Sequence, residues 1–285
     1  MIGNRPRRAD DLTHFNWLEV IHAGVHLGRV RHALFDFDGT ISVIRRGWEQ
    51  VMIPLMVEMI TDGHPAPPGL ETDVIDYVDR STGILTIKQM EWLADAVRRV
   101  ALASEPKTAR EYKRIYNERL LGPVRERLAH LDGSQAARDT LSIAGARQFL
   151  EALRDRGVML YLASGTDHIY VAEEAAALGV TAFFGRHIYG AKDDTVAISK
   201  AQVIQKIIEE NDLHGEELLV IGDGPVEIRN GKAHDAVTLG VAADEVERQG
   251  LNPRKRERVI SAGADLVVTD FLHYAELARI LTRPQ

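Results

Sequence analysis

The chain of 285 residues contains no cysteine, which excludes disulfide staples, thiolate metal sites and thiol nucleophiles together. Any metal it holds must therefore be bound through oxygen or imidazole. Proline is scarce, 10 residues against 23 glycines, so a collagen-like or proline-rich composition is excluded. Basic residues are outnumbered: 35 Lys and Arg face 42 Asp and Glu, a formal charge of −7. Bulk electrostatics thus disfavour a polyanion, and no nucleic acid partner is expected. Long apolar runs are missing too. The segment 51–60 is broken by Pro54 and Glu58 and falls short of the ~18 residues that a membrane span requires, so no membrane association is expected. The first residues are charged, and Glu19, His22 and His26 interrupt the segment after them. This does not read as a signal peptide, and a cytoplasmic location is the expectation. The remaining composition, 45% apolar and 27% charged residues, suits a folded chain of one large domain or two ordinary ones.

Four short apolar runs, 33–35, 158–162, 218–221 and 266–268, are each followed by small or acidic residues. They read as buried strands of a parallel sheet, which are apolar on both faces. Helix-length segments alternate with them: 143–156 stopped by Gly157, 167–178 stopped by Gly179, 200–210 behind Ser199 as N-cap, and a closing helix at 274–281. The fold class is therefore α/β, a Rossmann-like parallel sheet. About a hundred residues between Thr40 and Leu141 break the rhythm and read as an inserted helical domain, since connections in α/β units are usually far shorter. Met90, Leu93, Ala94, Val97, Val100 and Ala101 have the spacing of an amphipathic helix. Thr108 with Glu111 forms a capping box for another, which Gly122-Pro123 interrupts or bends. Residues 63–69 read as a loop. The expected division is a core of 1–43 and 140–285 with a helical cap of 44–139.

The first strand ends in Asp36-Phe37-Asp38-Gly39-Thr40. Carboxylates at i and i+2 face the same way in extended backbone, at the strand end where open α/β sheets bind ligands; read alone, Asp38-Gly39 is equally a turn signal. After the second strand come Ser164 and Gly165, a hydroxyl and a flexible N–H able to cradle a phosphate oxygen, or else an N-cap for the following helix. Lys200 opens a helix, where a cation opposes the macrodipole and a phosphate partner would explain it; Lys192 competes for that role. The third strand runs into Gly222-Asp223-Gly224-Pro225-Val226-Glu227, adding two acids, with Pro225 in a first helical turn.

This ordered set resembles the haloacid dehalogenase superfamily: DxDGT at residues 36–40, Ser164, Lys200, and GDxxx[DE] at residues 222–227. The resemblance covers residues 30 to 43 and 140 to 282. The placement of the helical insert is similar to the type 1 cap of phosphoglycolate phosphatase-like and β-phosphoglucomutase-like members. Glu227 stands where Asp is commoner, and about thirty residues precede the first strand without assignment. The resemblance implies a Mg²⁺ site formed by Asp36, the main-chain oxygen of Asp38 and Asp223, with Glu227 holding waters or the lysine. Charge arithmetic agrees. Clustered carboxylates would repel a phosphate dianion by ~4 kcal/mol per pair at 4 Å and an effective dielectric constant of 20, and one lysine cannot offset that. A hard oxygen-liganded cation can.

The implied chemistry is a phosphatase acting on a small phosphorylated metabolite, with Asp36 as nucleophile, Asp38 as acid and base, and Ser164, Gly165 and Lys200 on the phosphate. A phosphosugar mutase is the alternative, and a catalytically silent phosphosugar-binding protein a further one. Arg45, Arg46 and Lys88 are candidates to reach the substrate's far end, each weighed against plain surface charge; Trp48 and Trp92 read as cap core. His22 and His26 have the i, i+4 spacing of a metal pair but lack a third ligand. Arg254-Lys255-Arg256 and the cluster Arg5, Arg7, Arg8 read as solvated faces.

Overall fold

A computed structural model describes residues 7–8, 12, 15–191 and 199–283, with the backbone alone at residues 7 and 8. Lys192 and Arg5 lie outside the described residues. In chain order, the leader supplies β1 (Arg7–Arg8), β2 (Leu18–Val20) and β3 (His26–Leu27), and β4 (His32–Phe35) follows. Helices α1 (Trp48–Thr61), α2 (Leu70–Ser81), α3 (Thr86–Val100), α4 (Ala109–Ala129) and α5 (Gln135–Asp139) occupy the stretch before α6 (Ala146–Asp155) and β5 (Met159–Asp167). Then come α7 (His168–Ala177), α8 (Thr181–Phe184), β6 (Ile188–Ala191), α9 (Lys200–Asn211), β7 (Leu218–Gly222), α10 (Pro225–Lys232), β8 (Val237–Val241), α11 (Pro253–Ser261), β9 (Leu266–Val268) and α12 (Tyr274–Leu281).

Seven strands form one sheet in the order β2-β9-β8-β7-β4-β5-β6. Every pairing is parallel except β2 against β9, where Leu18 stands opposite Val268. The expected α/β class holds, and the unassigned leader finds a role: it closes one sheet edge with an antiparallel strand. Alternation along β4 sends Ala33 and Phe35 into the larger core and Leu34 into a second core, where Val203, Ile204 and Ile207 of α9 cover Tyr161 and Val220. Both faces of β4 are thus buried, as its unbroken apolar run requires. Among the described residues no helix is long and apolar enough to cross a membrane.

Helices α1 to α4 pack on one another, burying Met52, Met56, Val74, Val78, Met90, Leu93, Val97 and Tyr112. The capping box at Thr108 and Glu111 is present, yet α4 runs on through Gly122-Pro123 without a break. The turn is exposed and tolerates one missing N–H, as α1 does at Pro54, and Gly122 removes one contact with the proline ring. Residues 63–69 are non-helical up to the start of α2, as expected.

Candidate active site

β4 and β7 lie side by side at the centre of the sheet, and their carboxyl ends carry the site. The ladder extends one step past β4, the Asp36 N–H donating to the Ile221 carbonyl at 2.8 Å. The next turn winds tightly on Phe37, whose carbonyl accepts from the N–H groups of Ile41 and Ser42, both at 2.9 Å. With Phe37 fully buried in the core, Asp36 and Asp38 are left on the other side, and both line one cavity of about 70 Å³.

Their partners differ. Lys200, buried at the first turn of α9 behind the Ser199 capping box, places Nζ 2.7 Å from Asp36 Oδ1 and 3.0 Å from Glu227 Oε2. Glu227 also accepts the Gly224 N–H on Oε1 at 2.7 Å, so one carboxylate caps α10 and anchors the lysine. Carboxylate oxygens of Asp36, Asp223 and Glu227 all lie within 4.8 Å of one another. Asp38 instead accepts from the hydroxyls of Ser164 at 3.4 Å and Thr166 at 3.3 Å. Its Oδ1 is buried without a hydrogen-bond partner, the Arg45 Nε standing 4.0 Å away.

These environments push the two carboxyls up for different reasons. Burial raises Asp36 well above the ordinary aspartate value; Lys200 opposes this, while Glu227 and Asp223 add to it. Burial likewise lifts Asp38, to about 7, against the pull of Arg45. For Lys200 burial works against the charge, but Asp36 and Glu227 outweigh it and hold the ammonium protonated. The raised Asp36 marks a shortage of positive charge among buried carboxylates. An all-oxygen donor set of this kind fits a hard divalent ion. Asp36 and Asp223 are the side chains best placed to hold one, since both Glu227 oxygens already accept from Lys200 and Gly224; the Asp38 carboxylate faces Ser164 and Thr166 instead.

Lys200, expected at a phosphate, stands between the Asp36 and Glu227 carboxylates. The sequence reading needs correction at other points. Ser164 does not cap a helix: its Oγ accepts the Thr166 N–H at 3.1 Å within β5. Lys255 is no solvated residue but buried, with Nζ 2.8 Å from Asp223 Oδ2 and 2.6 Å from Glu245 Oε1. Arg254 pairs with Asp79 at 2.6 Å, and Arg256 with Glu19. Arg45 is buried, its Nη2 2.6 Å from Glu174 Oε1. Arg46 lines a separate cleft with Arg127 and Arg254, and exposed Lys88 pairs with Glu91 at 2.9 Å. Trp48 lines the cavity, whereas Trp92 stacks on Tyr77 at 3.9 Å. His22 Nδ1 contacts the Ala264 carbonyl and His26 Nδ1 contacts Glu216, so the two do not form a metal pair.

The loop between α2 and α3 forms part of the cavity wall. Thr82, Gly83 and Ile84 line it. Gly83 adopts φ +94°, and a Cβ there would strike the Glu227 carboxylate. Gly165 approaches so closely that a Cβ would overlap the Ile84 carbonyl, and the Thr86 hydroxyl donates to the Gly165 carbonyl at 3.4 Å. Nothing in residues 82–86 announces this contact in the sequence.

Residues 30–235 match the family model of the haloacid dehalogenase-like hydrolases. No protein of curated function matches the chain. Among solved structures it is similar to a haloacid dehalogenase-like family protein from Streptococcus pneumoniae, at 17% identity and TM-score 0.56, over 87% of this chain and 98% of that one. A protein from Clostridium acetobutylicum described as a predicted phosphatase aligns at 16% identity and TM-score 0.55, over 87% and 97%. One from Haemophilus somnus described as a predicted phosphoglycolate phosphatase aligns at 16% and TM-score 0.53, over 87% and 96%.

Proposed function

The chain belongs to the haloacid dehalogenase-like hydrolases, and from that membership we propose that it is a Mg²⁺-dependent phosphomonoesterase acting on a small phosphorylated metabolite. One observation carries the reading. Two carboxylates two residues apart open on the same cavity in unlike environments, Asp36 within the Lys200, Asp223 and Glu227 cluster and Asp38 among hydroxyls.

Asp36 is the nucleophile. Lys200 holds Oδ1 and restrains the carboxylate, leaving Oδ2 to attack phosphorus in line and form an aspartyl-phosphate as the ester bond breaks. Asp38, raised to about 7 by burial, carries the proton that the leaving alkoxide takes, and then as a carboxylate accepts one from the water that attacks the acyl-phosphate. Free phosphate leaves, and Asp36 and Asp38 return to their first states. Ser164 and the Gly165 N–H, on the same cavity wall, take the phosphoryl oxygens in this reading. Asp36, Asp223 and the main-chain oxygen of Asp38 would hold Mg²⁺, with Glu227 acting through Lys200. When bound, the ion neutralises phosphoryl charge and keeps Asp36 ionised.

In this reading the segment 44–139 is a cap on a core of 1–43 and 140–285, its loop at residues 82–86 lining the cavity and limiting the access of water. A cavity of about 70 Å³ suits a metabolite better than a phosphoprotein. The test is phosphate release from a panel of phosphorylated metabolites with Mg²⁺ and with chelator. Release that survives chelation overturns the metal, and isomerised product in place of free phosphate makes the enzyme a phosphosugar mutase.

A further inference from the structure

We propose, resting on the phosphatase reading, that the part of the substrate left behind is uncharged, a small neutral alcohol or polyol, and that the Arg45–Glu174 pair enforces this. Beyond the acidic cluster and the Ser164–Thr166 strand end, the cavity wall is made by Trp48, Ile84 and Leu120 with the neutral polar groups of Gln89, Thr86 and Tyr116. Among the described residues Arg45 is the one cation on that wall.

The guanidinium of Arg45 is already balanced by a buried carboxylate. Nε donates to Glu174 Oε1 at 3.0 Å and Oε2 at 3.1 Å, and Nη2 donates to Oε1 at 2.6 Å. Asp38 lies 4.0 Å away on the same guanidinium, which also stands over the Tyr170 ring at 5.5 Å. Glu174 is itself 2% exposed, so water does not weaken the pair. Lys200 and Lys255 are each held between two carboxylates. Arg46 and Lys88 are not on the wall. A carboxylate or second phosphate on the leaving group would therefore enter a small, partly open cavity facing Asp38 in which the one cation is already balanced by Glu174, and a charge desolvated without its own counter-ion is disfavoured. A hydroxyl needs no counter-ion, and it meets Gln89, Thr86 and Tyr116 on the same wall, where Gln89 Nε2 already donates to Ser81 and the Thr86 hydroxyl to the Gly165 carbonyl, leaving their oxygens as acceptors.

The test uses size-matched pairs: 2-hydroxyethyl phosphate against phosphoglycolate, and glycerol 3-phosphate against 3-phosphoglycerate, with wild-type protein and Mg²⁺. The neutral member of each pair should show a kcat/KM higher by about tenfold or more, as an unmatched charge in a partly desolvated site implies. Equal or better use of the acidic members overturns the proposal. In Glu174→Gln the guanidinium is released, and the ratio should move toward the acidic members; a ratio that stays fixed removes the pair from the selection. Should no substrate release phosphate, the phosphatase reading falls by itself. Calorimetric titration of the same pairs into the idle protein then ranks their affinities, and tighter binding of the acidic members overturns the charge argument separately.

Discussion

The ammonium of Lys255 lies 2.8 Å from Asp223 Oδ2 and 2.6 Å from Glu245 Oε1, enclosed to 8% exposure. α11 thereby reaches from the far side of β8 into the acidic cluster. Breaking one partner out of a buried ion pair leaves uncompensated charge, so Lys255→Met should cost about 3–5 kcal/mol of stability, read as a lowered thermal midpoint. Mg²⁺ should raise the midpoint of that variant more than it raises wild type. An unchanged midpoint without metal would show that Lys255 carries no such burden.

Asp36→Asn keeps the shape and the Lys200 contact but removes the attacking oxygen. Phosphate release should fall by at least about a hundredfold, as loss of a nucleophile does, with circular dichroism unchanged. Retention of a tenth of the wild-type rate refutes the nucleophile assignment.

Asp38 titrates near 7 when folded, against an ordinary aspartate value of 3.8, because it is buried. Between those values the folded chain binds the proton more tightly than the unfolded one. Its contribution is therefore fully present below about pH 3.8 and is lost as pH rises through 7. In metal-free protein, Asp38→Asn should gain roughly 2–4 kcal/mol over wild type at pH 8, the size of a shift of two to three pKa units, and little at pH 4. Chemical denaturation at the two pH values checks this, and a gain of equal size at both rules it out.

Gly165→Ala places a methyl against the Ile84 carbonyl, so the loop at 82–86 has to lift from the strand end. kcat/KM should drop by about tenfold or more, as small misplacements in enclosed sites do, while the thermal midpoint moves by only a few degrees. Wild-type kinetics in this variant would mean that the loop's contact with Gly165 is idle in turnover.

Much of the fold is readable because apolar runs bounded by small and acidic residues have few other interpretations: β4, β5, β7 and β9 all lie where the pattern puts them. β8 escapes because Thr238 and Gly240 dilute its run, and the glycine is there for packing, since a Cβ would strike Val259 of α11. β2 is three residues whose hydrogen bonds go to a strand almost 250 positions later, a pairing no local pattern encodes. Asp36, Asp38, Ser164, Lys200, Asp223 and Glu227 are legible because strand ends of one sheet converge by construction. Lys255, and the surface-charge reading of Arg45, mislead for a common reason. Side-chain type sets a preference for the surface, and only tertiary placement reveals the buried carboxylates that override it.

The antiparallel strand β2 has one further consequence. It occupies the hydrogen-bonding groups along Leu266–Val268 that β8 leaves open on the other side. A shortened protein beginning at Arg31 would bare that rim, and exposed rims of this kind invite neighbouring molecules to add strands of their own. Such a protein should self-associate as its concentration rises, with its phosphate chemistry still in place.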